Sequence, residues 1–128
     1  MNERLLHGRK PFSHELVVDE ARIDRFGHAN NVAILQWIQD VAEAHSASVG
    51  FPIPSYERMG AAFIVRRHEI EYRRPCLLGE RLLVRSWVPS AKAASCTRET
   101  EIASIRDGSV CVASTTTWVF ADLASLRP

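Results

Sequence analysis

The chain has 128 residues, 46% of them hydrophobic, with 16 basic and 15 acidic side chains. This length predicts one globular domain over residues 1–128. A net charge of +1 provides no strong global field, so composition argues against nucleic acid or an anionic membrane surface as a partner.

The first third of the chain predicts a strand, a turn and a long helix. Residues 12–23 are typical of a strand, and the glycine and two asparagines of residues 24–31 indicate a turn. Apolar residues then recur at helical spacing over residues 31–49, and Gly50 and Pro52 favour an end there. Asn30 or Asn31 can cap the helix, because a short amide accepts from its free N–H groups.

The rest of the chain predicts four strands, over residues 61–74, 80–89, 94–105 and 109–120. Asp107 and Gly108 predict a hairpin turn before the last strand. Short connections favour antiparallel pairing, and a helix with one apolar face must bury that face on the sheet. The expected fold is α+β, an antiparallel sheet of about five strands wrapped around one long central helix.

Cysteine and histidine placement indicates no metal site. The three cysteines cannot all pair within the chain, and neither a CxxC nor an HExxH spacing occurs. No apolar run approaches the roughly 20 residues of a membrane helix, and residues 1–10 lack the apolar core of a secretory signal. These features predict a cytoplasmic protein without a membrane span.

The turn at residues 24–31 carries the most informative chemistry. Asp24 lies seven residues before the first residue of the predicted helix. A helix N-terminus presents unpaired N–H groups that can bind a carbonyl oxygen as it becomes negative in acyl transfer. A carboxylate beside it can attack that carbonyl or activate water. Local chemistry alone favours a plainer interpretation, a turn in which Asp24 accepts backbone hydrogen bonds.

The segment from Asp24 to Asn31, read as Asp-x-x-Gly-His-x-Asn-Asn with Trp37 in the following helix, resembles the motif of hot-dog thioesterases. Two branches are similar to it: the 4-hydroxybenzoyl-CoA thioesterase group and the acyl-ACP thioesterases. The resemblance continues at residues 49–51, 70–75 and 79–80 and covers nearly the whole chain. It implies a hot-dog fold and hydrolysis of an acyl thioester of coenzyme A, with acyl carrier protein (ACP) as the alternative carrier.

The resemblance also implies roles for individual residues. Asp24 corresponds to the general base or nucleophile, and the backbone N–H of Asn31 to the donor that polarises the thioester carbonyl. His28 is expected to shape the site or orient water, unless it is a buried turn histidine. Gly27 lets the backbone approach the substrate closely. Asn30 occupies a substrate-site position of the motif and is expected to act mainly as a cap.

Three positions depart from the family pattern. Ile34 replaces a frequent Tyr, Gln39 a frequent Glu, and Phe26 the Asn of the acyl-ACP motif. The change at Phe26 argues against an Asp-Asn-His mechanism, whereas a mechanism centred on Asp24 is compatible with all three.

Cys76 lies in a stretch that resembles one of acyl-ACP thioesterases in which a cysteine has been considered catalytic. Pro75 stands where that stretch has an acid, and no base is evident to activate the thiol. The expectation is a small packing residue.

Arginines crowd the middle of the sequence, at Arg66, Arg67, Arg73, Arg74, Arg81 and Arg85. Composition alone favours a solvated strand face balanced by glutamates. The family resemblance gives weight to a second interpretation, in which Arg73 and Arg74 bind coenzyme A phosphates or an acidic carrier protein.

Other functions stay open: an enoyl-thioester hydratase, or a non-catalytic domain that binds acyl thioesters. For the hydrolase, no metal or organic cofactor is expected, since coenzyme A is part of the substrate. An exposed sheet edge, together with the resemblance, predicts a homodimer or a homotetramer built from dimers.

Overall fold

The computed structural model describes residues 10–128, and these residues form two helices and a five-stranded sheet. The helices are α1 (Asn31–Ser48) and α2 (Ile53–Met59), with a 3-10 turn at Glu20–Arg22. The strands are β1 (Phe12–Val17), β2 (Ala61–Tyr72), β3 (Arg81–Lys92), β4 (Ser95–Ser104) and β5 (Val110–Asp122). No helix within this part of the chain is long and apolar enough to cross a bilayer. The elements confirm the predicted α+β class.

The sheet has the order β1-β3-β4-β5-β2, and every neighbouring pair is antiparallel. Its edges are the short strand β1 and the 12-residue strand β2. The middle strands alternate in burial: Leu82, Val84, Ser86 and Val88 of β3 are all buried. Period-two alternation therefore directs one face of the sheet toward α1.

Helix α1 packs its apolar face on the inner face of the sheet. Its buried side chains recur at helical spacing, at Ala33, Ile34, Trp37, Ile38, Val41, Ala42 and His45. Most of these form one cluster with Leu82, Val84, Ile102 and Val112 of the sheet. Each large aliphatic side chain buried in this way contributes about 1.5–3 kcal/mol. Packing on the sheet fixes the direction of α1 and hence the place of its N-terminus.

Several predicted boundaries were wrong. The first strand ends at Val17 rather than at residue 23, because Val18 enters the core and its N–H bonds to Glu80 O before the 3-10 turn begins. Strand β3 continues past Pro89 to Lys92, since the pairing shifts between Trp87 and Ser90 and Pro89 falls at this irregularity. A bulge tolerates proline because no ladder hydrogen bond is needed there.

Helix α2 was missing from the prediction. Pro54 occupies the first turn of α2. Proline is tolerated there because its missing N–H would have no helical partner. Gly60 ends α2 in the left-handed conformation, with a φ of 70°.

Candidate functional site

Hydrogen bonds of the backbone N–H and of the side-chain carboxylate of Asp24 close the turn that follows it. The Asp24 N–H donates to the carbonyl oxygen of His28 at 2.7 Å, and the His28 N–H donates to Asp24 Oδ1 at 3.2 Å. The Phe26 N–H donates to the same Oδ1 at 2.8 Å. Gly27 has a φ of 81°, a conformation that favours glycine. Asp24 Oδ2 has no hydrogen bond to a residue within 10–128, so it is available to a ligand.

The turn is anchored to the loop at residues 74–80. The Ala29 N–H donates to Cys76 O at 2.8 Å, and His28 pairs with Leu77 through an antiparallel bridge. The Asn30 N–H donates to Arg22 O at 2.8 Å. These contacts hold the turn between the 3-10 segment and the loop before β3.

The N-terminus of α1 lies directly after this turn. Asn30 is the N-cap: its Oδ1 accepts from the Ala33 N–H at 2.7 Å and its carbonyl oxygen from the Ile34 N–H at 3.2 Å, which confirms the predicted cap. The N–H groups of Asn31 and Val32 bond to no residue within 10–128, and both residues are exposed. Unpaired donors at a helix N-terminus carry partial positive charge and suit a developing oxyanion.

The surroundings of Asp24 and the N-terminus of α1 are unusually apolar for exposed positions. Phe26 is 77% exposed, Val32 78%, Leu77 48% and Leu78 53%. Exposed apolar patches of this kind mark ligand or subunit contacts. The imidazole of His28 is half-buried and makes no side-chain hydrogen bond within the described chain, which leaves it free for a substrate.

Arg74 holds the loop at residues 74–80 together. Its guanidinium donates to both carboxylate oxygens of Glu80, to Ser109 Oγ at 3.0 Å and to Pro75 O at 2.8 Å. This bonding raises the pKa of Arg74 and lowers that of Glu80. Since its donors are engaged, Arg74 fits a positioning role better than phosphate binding.

Most of the arginine cluster is balanced by carboxylates. Arg73 is exposed and pairs with Glu71 at 2.6 Å, so its role in phosphate binding stays a prediction. The ion pairs of the cluster are Arg67–Glu69, Arg73–Glu71, Arg74–Glu80, Arg81–Glu15 and Arg85–Glu101. This pattern favours the solvated strand face expected from composition.

Cys76 is fully buried in the main core cluster. Interaction with the neighbouring Cys111, together with burial, raises the pKa of its thiol. A thiol kept protonated is a poor nucleophile. Its burial supports the predicted packing role, which stays a prediction.

A cavity of about 400 Å³ lies beside the C-terminal half of α1, away from Asp24. Its walls come from α1, α2 and strands β2 to β5, and no residue of the turn at 24–31 lines it. The first lining residue on α1, Gln39, is eight residues after Asn31, which is about 12 Å along the helix axis. Phe63 lines this cavity, whereas Ile34, Trp37 and Ile38 pack in the core.

A polar group that sequence reasoning missed lies in this cavity. Arg98 Nη1 donates to His45 Nδ1 at 2.8 Å and to Ser86 Oγ at 3.0 Å. Burial, followed by the charge of Arg98, lowers the pKa of His45 to about 4, so this imidazole is neutral at pH 7. The period-two alternation of a strand could have indicated this position. Thr100, Ile102 and Ser104 of β4 are buried, and Arg98 lies two residues before Thr100, on the same face of the strand.

Within residues 10–128, no group of three histidine, cysteine, aspartate or glutamate side chains is placed to hold a metal ion. The arrangement at the N-terminus of α1 instead combines a carboxylate with backbone donors, a set that can act on a carbonyl group without a metal.

The sequence model of the acyl-ACP thioesterase N-terminal domain family matches residues 9–128. No curated protein sequence matches the chain significantly.

Solved structures share the fold at low sequence identity. A 1,4-dihydroxy-2-naphthoyl-CoA thioesterase from Synechocystis is 22% identical with a TM-score of 0.84, and the match covers 91% of this chain and 86% of that one. A DHNA-CoA thioesterase from Staphylococcus aureus is 17% identical with a TM-score of 0.85, covering 92% and 78%. An acyl-ACP thioesterase from Bacteroides thetaiotaomicron is 19% identical with a TM-score of 0.85, covering 100% and 51%, so the chain spans about half its length. The likeness confirms the predicted hot-dog fold.

Proposed function

Because the chain belongs to the acyl-ACP thioesterase N-terminal domain family, we propose that it hydrolyses an acyl-CoA thioester to the free acid and CoA. One observation carries this proposal. The available Oδ2 of Asp24 and the unpaired N–H groups of Asn31 and Val32 belong to one turn and the helix start that follows it. A base or nucleophile beside preorganised donors is the combination that acyl transfer requires.

The proposed reaction starts with the thioester carbonyl oxygen at the Asn31 N–H. As general base, Asp24 takes a proton from water while the water oxygen bonds to the carbonyl carbon. The negative charge that forms on the carbonyl oxygen is stabilised by the helix N-terminus. The C–S bond then breaks, and the CoA thiolate takes the proton back from Asp24. As nucleophile, Asp24 would instead bond to the carbonyl carbon and displace the CoA thiolate, and water would open the resulting acyl anhydride in a second step, which regenerates the Asp24 carboxylate and supplies the proton that the thiolate takes up.

Acyl-ACP is a second candidate substrate, and the matching family favours it. Either carrier leaves the chemistry at Asp24 unchanged, because both present the same thioester. Measuring kcat/KM for one acyl chain on CoA and on ACP identifies the preferred carrier.

A non-catalytic acyl-thioester domain is the third possibility, since the bonds from Phe26 and His28 give Asp24 a structural role by themselves. The test is Asp24→Asn. Asparagine keeps an oxygen for these two N–H donors but cannot accept a proton from water, so we expect kcat to fall by about 100- to 10,000-fold with the thermal melt unchanged. Asp19→Asn is the matched control, because Asp19 is exposed and makes no cap hydrogen bond. Near-wild-type kcat in the folded Asp24 variant would refute the hydrolytic proposal.

A further inference from the structure

The cavity beside the C-terminal half of α1 is mainly apolar, yet it contains an arginine. Its volume of about 400 Å³ lies within the range of small-molecule sites. Most of its walls are hydrophobic side chains: Val49, Phe51, Ile53, Phe63, Val88 and Trp118. Arg98 is largely withdrawn from solvent, and this burial lowers its pKa. A buried charge in a protein is normally paired with an opposite charge.

The contacts of Arg98 within residues 10–128 are uncharged. Its hydrogen bonds go to His45, which is neutral at pH 7, and to the hydroxyl of Ser86. None of the ion pairs of the described chain includes Arg98. Glu43 and Glu57 also line the cavity, but both are exposed and neither pairs with the arginine.

The positive charge of Arg98 is only partly balanced within the described chain. His45 lies in the last turn of α1, and the end of a helix supplies a partial negative charge equivalent to only about half an electron. Arg98 forms its hydrogen bonds to the described residues through Nη1, so the remaining donors of its planar fork have no partner there. The indole N–H of Trp118, another lining residue, is also buried without an acceptor in the described chain.

We propose that this cavity binds a small ligand with an apolar body and one carboxylate, which the free donors of Arg98 hold. A single guanidinium matches a single carboxylate in charge and in fork geometry. A phosphate dianion would need more donors than the apolar walls provide. Binding here is independent of hydrolysis at Asp24, because the cavity shares no residue with the turn at residues 24–31.

Calorimetry on the full chain at pH 7 tests this site, with octanoate as the probe and octanol as its uncharged match. Wild type should bind octanoate about 10- to 100-fold more tightly than octanol, the effect of one hydrogen-bonded charge pair. Arg98→Met keeps the length and apolar character of the side chain, so it should remove this preference and keep octanol binding. Arg85→Met is the control, since Arg85 is exposed and absent from the cavity wall.

A second measurement needs no variant in the cavity. Octanoate should shift the NMR resonance of the Trp118 indole N–H in wild type, and Asp24→Asn should bind octanoate as wild type does. Equal affinity of wild type for octanoate and octanol would overturn the proposal. So would loss of octanoate binding in Asp24→Asn with binding retained in Arg98→Met, since the carboxylate would then be held at the N-terminus of α1.

Discussion

Arg74 and Glu80 are joined by two parallel hydrogen bonds, from Nη1 to Oε1 at 3.0 Å and from Nη2 to Oε2 at 2.5 Å. Oε1 of Glu80 also accepts from the Leu77 N–H at 3.1 Å. Leu77 in turn pairs with His28 of the turn that contains Asp24. The ion pair therefore supports one wall of the proposed site without touching the reacting atoms.

Glu80→Gln should lower the free energy of unfolding by about 2 kcal/mol, because it replaces charged hydrogen bonds in a pair that is 27% and 15% exposed. Urea denaturation measures this loss. Glu69→Gln is the matched control: its pair with Arg67 spans 3.6 Å and both side chains are about two-thirds exposed, so the change should stay below about 0.5 kcal/mol. Equal losses in the two variants would show that the Arg74–Glu80 pair contributes no more to stability than an exposed ion pair does.

The stabilisation by Glu80 should also depend on pH. The Arg74 hydrogen bond lowers the pKa of Glu80 below its ordinary 4.5 in the folded state. At low pH the unfolded chain therefore takes up the proton first, and stability falls. The stability difference between wild type and Glu80→Gln should be constant above about pH 5 and shrink as the pH drops below 4.5 toward the folded-state pKa. Urea titrations at several pH values measure it, and a difference that is independent of pH would contradict the assignment.

Asn31→Pro tests the proposed oxyanion donor. It removes the N–H at the first position of α1, where proline fits a helix, and the preceding Asn30 already has a compatible ψ of 160°. We expect kcat to fall by about 100- to 1,000-fold while the thermal melt changes little. Asn31→Ala keeps the N–H and should keep most of the activity. If both variants lose activity equally, the Asn31 side chain matters rather than its backbone.

Cys76→Ala separates packing from catalysis. Because Cys76 is fully buried in the core, the change should cost about 1–2 kcal/mol of stability through lost burial and a small cavity. It should leave kcat within about threefold, since no attack by a thiolate is proposed. Cys96→Ala, at a partly buried position, is the comparison. If the Cys76 variant folds but has lost nearly all activity, the Cys76 thiol is a nucleophile in the reaction.

From the unpaired edge of strand β2 we expect a homodimer, or a homotetramer built from dimers. This 12-residue strand pairs with β5 along one side, and its other side has no strand partner in residues 10–128. Unpaired N–H and C=O groups along so long an edge favour pairing with a second copy. Size-exclusion chromatography with light scattering should give at least twice the chain mass of 14.4 kDa at micromolar concentration. A monomer over that range would contradict it.

The sequence alone determined the features that depend on neighbouring residues. Turn chemistry and the capping amide of Asn30 predicted the turn from Asp24 to Asn31 and the start of α1, because the side-chain hydrogen bonds of Asp24 and Asn30 go to residues within four positions. Apolar periodicity predicted α1, and alternation predicted strand β3, since burial on one face imposes those periods. Only the resemblance of this segment to the thioesterase motif assigned hydrolysis to Asp24 and Asn31, since local chemistry by itself favoured a plain turn.

Tertiary structure alone decided how distant residues meet. Arg98 and His45 are 53 residues apart, and their contact depends on which face of β4 lies against α1. Two arginines have different surroundings: Arg74, in the loop before β3, is engaged by Glu80, whereas Arg98 of β4 is buried against neutral partners. The sequence shows where the arginines, and therefore their positive charges, lie along the chain. The packing of the helix on the sheet determines whether that charge is solvated, paired or left for a ligand, because burial decides what it costs to leave it unpaired.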